Sequence, residues 1–430
     1  QRLCSFQLHG LRFDLVSVAA FAQAMETRGG GASSKGTLEH ELVLASTNVG
    51  LPGAAINGPH FEKNHGEKVR QVFKALLGGN TKCAGLLCCE LGNVDNLCSE
   101  DGKEKINQCI IQAFEDAGAV GLFSSYWSRA FGANKVFSAR TDKIPNVDVI
   151  LEDYTMLYRM VENGTIPTVK IISTSKELGD VPTFNTLAEI KGVEKPNEYV
   201  ILSAHFDSWD GAQGSTDNGT GTLVMLEAMR ILKKVYPKPK RTILVGHWGG
   251  EEQGLNGSRA FVEDYPKIIE NTQAVFNQDN GTGRVVELNG QGFLHSQKFL
   301  TRWLSAVPNN ISKHIKTDFP GLPSSGGSDY ASFVSAGIPA FSLSSLSWDY
   351  GNFTWHTNLD TYDKIVFDDL KNNVILTAIL AYKASEDPDK ASREKRVLPE
   401  SSVNPRTGRI MRARGWPSLR KPNRDGTSSK

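Results

Sequence analysis

From about residue 182 the chain repeats one grammar: a short apolar run, a loop rich in glycine and acids, then an amphipathic stretch. NTLAEIKG, YVILSAHF, TILVGHW, AVFNQD and IPAFSLSS have the length and β-branched content of strands. LVMLEAMRILKKV, SRAFVEDY, SQKFLTRWLSAV and DLKNNVILTAILAYKASE carry helical spacing. Strands that read as continuous apolar runs, without alternation, are covered on both faces. This predicts an α/β fold, a mainly parallel (mixed) sheet flanked by helices.

A chain of 430 residues is longer than one core usually supports, so further organisation is expected. ETRGGGASSKG at 26–36 is a flexible break, followed by short β-like runs and a helix-to-strand passage, INQCIIQAFEDAGAVGLFSS. The expected division is a smaller β-rich domain over 37–168, a larger α/β domain over 169–388, and a tail over 389–430. Residues 393–430 hold eleven Lys or Arg against three acids, a surplus of +8 that leaves −7 for the rest of a chain of net charge +1. Without helical periodicity, that tail reads as disordered and basic. Nothing in the acidic body suggests nucleic acid as a partner, and no apolar run reaches the roughly 18 residues of a membrane span.

Six cysteines occur, five of them between Cys83 and Cys109. Disulfides and free buried thiols both fit that cluster, whereas a Cys-only metal site would want C-x-x-C pairs. The run LVSVAAFAQA at 15–24 reads either as the apolar part of a secretion signal or as a short buried helix. Sequons stand at Asn163, Asn256, Asn310 and Asn352. The expected location is a secreted, extracellular or lysosome- or vacuole-like compartment, with the cytoplasm as the alternative.

The loops after the predicted strands carry the chemistry. YVILSAHFDSWD brings His205 and Asp207 to a strand end, two residues apart and on one side of the chain. GSTDNGTGTLVMLE sets Asp217 in a glycine-rich loop before a helix, where an N-cap would also want it. GGEEQG presents Glu251 and Glu252 together, and two adjacent carboxylates at a buried strand end repel unless a cation offsets them. AVFNQDNGTG delivers Asp279, and NFTWHTNLDTYDK supplies His356 before the last helix. Each motif alone has an ordinary structural explanation. Together they gather five oxygen or imidazole ligands and one spare carboxylate at the sheet edge where open α/β sheets bind ligands, an inventory suited to a two-metal hydrolase.

HFDSWD, GSTDNGTG, GGEEQG, FNQDNGTG and WHTNLDTYD, in that order, resemble the site motifs of the co-catalytic zinc exopeptidases of clan MH. That family includes bacterial aminopeptidases, glutamate carboxypeptidase and carboxypeptidase Q. The resemblance runs over about 182–388 and implies a phosphorylase/hydrolase-like zinc peptidase fold with two Zn2+ ions. It implies that Asp217 bridges both ions, with His205 and Asp279 on one and Glu252 and His356 on the other. Glu251 would be the general base and Asp207 the residue orienting His205. The bond after Asp217 would be cis. Residues 105–124 also resemble a protease-associated domain, which would account for the region 37–168.

The expected partners are peptide substrates, with a homodimer left open. Cleavage polarity is open too. An aminopeptidase needs a carboxylate for the substrate ammonium, and Asp329 in SSGGSDYASF is the candidate. A carboxypeptidase needs a cation for the terminal carboxylate, and Arg284, five residues past Asp279, is the candidate. Competing readings are a non-catalytic receptor-like or binding protein on the same scaffold and a non-peptidase amide hydrolase or cyclase. Cobalt or manganese could occupy the same donor set as zinc.

Overall fold

The computed structural model describes residues 38–41, 122–124, 130–135, 143, 146–163, 168–171, 181–398, 401–403, 410–412 and 415–424. The chain divides into two compact units, Gln1–Glu177 and Leu178–Lys430. In the first, the strand Leu38–Glu41 pairs antiparallel with Thr168–Ile171, Leu122–Ser124 pairs parallel with Asn146–Asp148, and a helix spans Leu151–Glu162. The Cys83–Cys109 cluster, residues 15–24 and most of the region compared with a protease-associated domain lie outside the described residues.

The second unit is built on a mixed sheet of seven strands. In chain order these are β1 (Thr186–Ile190), β2 (Lys195–His205), β3 (Arg241–Trp248), β4 (Thr272–Asn277), β5 (Val285–Asn289), β6 (Lys316–Asp318) and β7 (Ala340–Ser345). They lie side by side as β6-β5-β7-β4-β2-β3-β1. The central four, β7, β4, β2 and β3, are parallel, while β1 and β5 run antiparallel to their inner neighbours. All five strands expected from the apolar runs form. The two additional ones, β5 and β6, lie toward one side of the sheet.

Helices α1 (Thr220–Val235), α2 (Asn256–Asp264), α3 (Ser296–Leu304), α4 (Tyr330–Ser335) and α5 (Phe367–Glu386) flank the sheet. Alternate residues of the central strands feed two cores. Val200, Leu202 and Phe276 pack with Met225 and Leu232 of α1, Trp303 of α3 and Leu380 of α5. Ile201, Val275 and Trp248 pack with Phe261 of α2 and Phe333 of α4. Every residue of β3 and β4 is buried, which explains the apolar runs at their centres, Ile243–Val245 and Ala274–Phe276. Arg241, fully buried at the start of β3, is tolerated because its guanidinium donates to Glu198 Oε2 (2.6 Å) and to the Ser385 carbonyl (3.0 Å) in the last turn of α5.

Chain order reverses beside β2: β3 lies to one side of it and β4 to the other. The carboxyl ends of β2 and β4 therefore border the crevice where such sheets bind ligands. Among the described residues no helix is long and apolar enough to cross a membrane.

Within the tail expected from residue 389, residues 415–424 pack on the second unit. The Trp416 indole donates to the Val334 carbonyl (2.9 Å), and its ring meets Phe293 edge-on at 5.2 Å. Arg424 pairs with Asp264 (2.7 Å) and Glu263 (3.1 Å). Two aromatic and acidic receptors on the folded domain outweigh the local lack of periodicity.

Candidate functional site

Five of the expected ligands converge at the carboxyl edge of the sheet. His205, the last residue of β2, directs Nε2 to Asp279 Oδ1 (3.0 Å) and Asp217 Oδ1 (3.3 Å). His356 directs Nε2 to Glu252 Oε2 (3.0 Å) and Asp217 Oδ2 (3.4 Å). Asp217 thus offers one oxygen to each imidazole. Three groups have donor atoms close enough to hold a metal ion: His205, Asp217 and Asp279; Asp217, Glu252 and His356; and His205, Glu251 and Glu252.

Each side chain is held by its element. The loop bearing Asp217 is pinned by Asp360, whose carboxylate accepts the backbone N–H of Thr216 (2.7 Å) and of Asp217 (3.0 Å). Ser208 Oγ donates to the Asp217 carbonyl (2.6 Å), and the peptide bond between Asp217 and Asn218 is cis. Asn218 in turn donates to the Gln278 carbonyl (3.0 Å) and accepts from the Gly221 N–H at the start of α1 (3.0 Å). His356 sits in the left-handed region at φ 58°, a conformation that a non-glycine residue keeps only where its surroundings impose it. Trp209 donates its indole N–H to Glu252 Oε2 (2.7 Å).

Asp207 differs in detail from expectation. His205 Nδ1 lies 2.9 Å from the Asp207 backbone carbonyl and 3.7 Å from its carboxylate. That carboxylate instead accepts the N–H of Glu251 (3.1 Å) and of Glu252 (3.2 Å), tying the β2 loop to the β3 loop. Beneath the site runs a buried relay. The Trp248 indole donates to Ser203 Oγ (2.8 Å), Ser203 to Asn277 Oδ1 (2.6 Å), and Asn277 to Ser328 Oγ (2.9 Å).

The electrostatics are those of an acid cluster in search of positive charge. Burial pushes Asp217 up to about 6 and Glu252 up to about 8, and drives Glu251 well above the usual carboxylate range. Burial opposes charging His205, but the carboxylates of Asp279 and Asp217 prevail and hold it well above an ordinary imidazole. Burial likewise opposes ionising Asp279, and there His205 wins and lowers it. Asp217 Oδ2 and Glu252 Oε1 are buried with no hydrogen-bond partner among the described residues. Buried lone pairs of this kind, with carboxylate and imidazole donors around them, fit a divalent ion of zinc's preferences.

Of the two polarity candidates, Asp329 is fully buried beside the cluster, and burial raises its carboxyl to about 7. Arg284 is not placed as expected. Its guanidinium binds the Asp369 carboxylate of α5 (2.7 Å), which also accepts from the Trp348 indole (3.0 Å), so this cation is already committed. Sequence reasoning named neither Asp360 nor Trp209 as functional, although both lie inside motifs it quoted; residues that hold a ligand obey no spacing rule.

The model of "Peptidase family M28" matches residues 185–380. Carboxypeptidase Q of Xenopus laevis is 32% identical over 222 residues, 51% of this chain and 45% of that protein. Aminopeptidase NAALADL1 of Mus musculus is 34% identical over 235 residues, 47% of this chain and 31% of that protein. The chain thus spans about half the length, or less, of these curated relatives. A peptidase M28 precursor from Shewanella amazonensis SB2B shares the fold, with a TM-score of 0.53 and 24% identity over 67% of this chain and 64% of that one.

Proposed function

We propose that the chain, whose residues 185–380 match the model of peptidase family M28, is a zinc metallo-exopeptidase that removes a terminal residue from peptides or dipeptides, with two ions and Glu251 as general base. The observation that carries the reading is the sharing of Asp217 between two donor groups, each completed by its own imidazole and carboxylate. His205, Asp217 and Asp279 would hold one ion, and Asp217, Glu252 and His356 the other. When bound, zinc supplies Lewis acidity toward a carbonyl and brings the pKa of water toward neutrality.

Glu251 has the environment of a base. Its backbone N–H is fixed by Asp207, its half-buried side chain lies beside the cluster, and it is adjacent to Glu252 without being needed in either Asp217-centred group. Burial raises its proton affinity, so it takes the proton of the attacking water and later returns it to the departing amine. Trp209 holds Glu252 in place, and the Asp207 main chain fixes the tautomer of His205.

Glu251→Gln keeps the size of the side chain and removes the proton acceptor. In the zinc-loaded protein, kcat on blocked dipeptides should fall at least about 100-fold with zinc content unchanged. Near wild-type turnover in that variant, measured beside its metal content, defeats the assignment.

A further inference from the structure

Among the described residues, Arg259 is a cation beside the site loop that holds no carboxylate. Arg259, on α2, follows the Glu251–Glu252 loop, and its Nη1 lies 3.8 Å from where a Cβ on Gly254 would sit. Its guanidinium therefore folds back over that loop, which is closed by Gly254 and Leu255 N–H groups donating to the Glu251 carbonyl (2.8 Å each). Arg259 is half-buried, and among the described residues no hydrogen bond or ion pair engages its guanidinium. Burial and the nearby charge of Arg420 both lower its pKa, while Asp329 and Glu251 favour its charge from a distance.

Arg420 arrives on the docked C-terminal segment. That segment is anchored before it by Trp416 on Val334 and after it by the Asn423 N–H, which donates to Asn256 Oδ1 (2.9 Å) at the first residue of α2. The like charge of Arg420 opposes that of Arg259, and an anion beside Arg259 would relieve that cost.

The side of the site on which they stand selects the anion. Glu251 returns its proton to the departing amine. In a substrate cut one residue from its carboxyl end, the α-carbon bearing that amine also carries the terminal carboxylate. A cation beside the Glu251 loop would therefore be on the side of the leaving amino acid. Arg284, bound to Asp369, has no comparable place.

We propose that Arg259, assisted by Arg420 of the docked C-terminal segment, is the specificity-determining clamp for the substrate's terminal carboxylate, giving the chain carboxypeptidase polarity. The proposal rests on the exopeptidase reading for its chemistry, and it carries a binding readout that does not depend on turnover.

The zinc-loaded full chain is assayed on N-benzoyl dipeptides as free acids and as C-terminal amides. Binding of N-acetyl-leucine, N-acetyl-phenylalanine and N-acetyl-glutamate is measured against that of their amides. Wild type should prefer acids at least about 100-fold in kcat/KM, the order of a charge-assisted bidentate contact. Arg259→Met should reduce that preference at least tenfold, chiefly through KM. Arg259→Lys should keep part of it, and Arg420→Met should lower it severalfold. Melting curves identify any loss due to misfolding; if Arg259→Met does not fold, Arg259→Lys and the exposed Arg420→Met carry the test.

Cleavage of amides as readily as acids, or an unchanged preference in the folded arginine variants, overturns the clamp and leaves the peptidase reading intact. If no peptide is hydrolysed, the peptidase reading fails. The clamp is then upheld by selective binding of the N-acetyl acids that Arg259→Met abolishes, and overturned by binding without discrimination or by no binding.

Discussion

At the scale of single residues, the site is organised by a carboxylate that touches no substrate. Asp360 uses both oxygens on consecutive backbone N–H groups, those of Thr216 and Asp217. Asn at 360 keeps one acceptor but sets an NH2 against the other N–H, so the loop that aims Asp217 loosens. Removal of such a supporting contact usually lowers metal affinity about 10- to 100-fold. Asp360→Asn should therefore release zinc to a chelating indicator at correspondingly lower chelator concentration while remaining folded. Unchanged zinc affinity would show that the loop is held well enough by Ser208 and Asn218 alone.

At the scale of elements, α1 approaches the site loop closely. A Cβ at Gly221 would lie 2.3 Å from both Asn218 Oδ1 and the Gln278 carbonyl. Gly to Ala inside a helix ordinarily stabilises by about 1 kcal/mol. Here overpacking costs about 1–3 kcal/mol and falls on the residues that fix Asp217 and Asp279, so Gly221→Ala should lower both the urea midpoint and zinc affinity. A midpoint at or above wild type would mean that the helix can back away freely.

Elements of this kind also mark what could be read from the residues alone. β2, β3, β4 and β7 were legible because central parallel strands are buried on both faces and so carry short apolar runs at their centres. β1 was legible from the same alternation of run and loop. β5 (VVELN) is only partly buried, and β6 is three exposed residues, so neither leaves a hydrophobic signature. The candidate ligands were visible because the strand-end loops advertise acids and histidines. Arg284 and Arg259 were indistinguishable in sequence, because what separates them is a partner 85 residues away on α5. The docked Trp416 segment was hidden for the same reason: its receptor, Val334 and Phe293, is assembled only by folding.

At the scale of the whole unit, the buried acid cluster makes stability depend on pH in an unusual direction. Glu252 titrates near 8 and Asp217 near 6 in the fold, both above their ordinary values, and His205 is raised as well. A group whose folded pKa is raised contributes stability in full below its unfolded pKa and loses it as pH rises through the folded one. Asp279, lowered, titrates below this window; His247, lowered by burial to about 4, works against the trend, and Asp329, raised to about 7, adds to it. Stripped of metal by chelation, the unit should therefore melt at lower temperature at pH 8 than at pH 5.5, opposite to an ordinary acid-labile protein. The difference should be at least about 1 kcal/mol, or roughly 2–4 °C. Zinc favours the ionised carboxylates and neutral imidazoles, so saturating zinc should raise the melting temperature more at pH 8 than at pH 5.5. At 100 times its dissociation constant it adds about 2.7 kcal/mol. Scanning calorimetry of metal-free and zinc-loaded protein at the two pH values decides the matter. A metal-free protein more stable at pH 8 would show that the buried acids are already balanced by charges within the chain, and the case for a resident cation would lose its electrostatic basis.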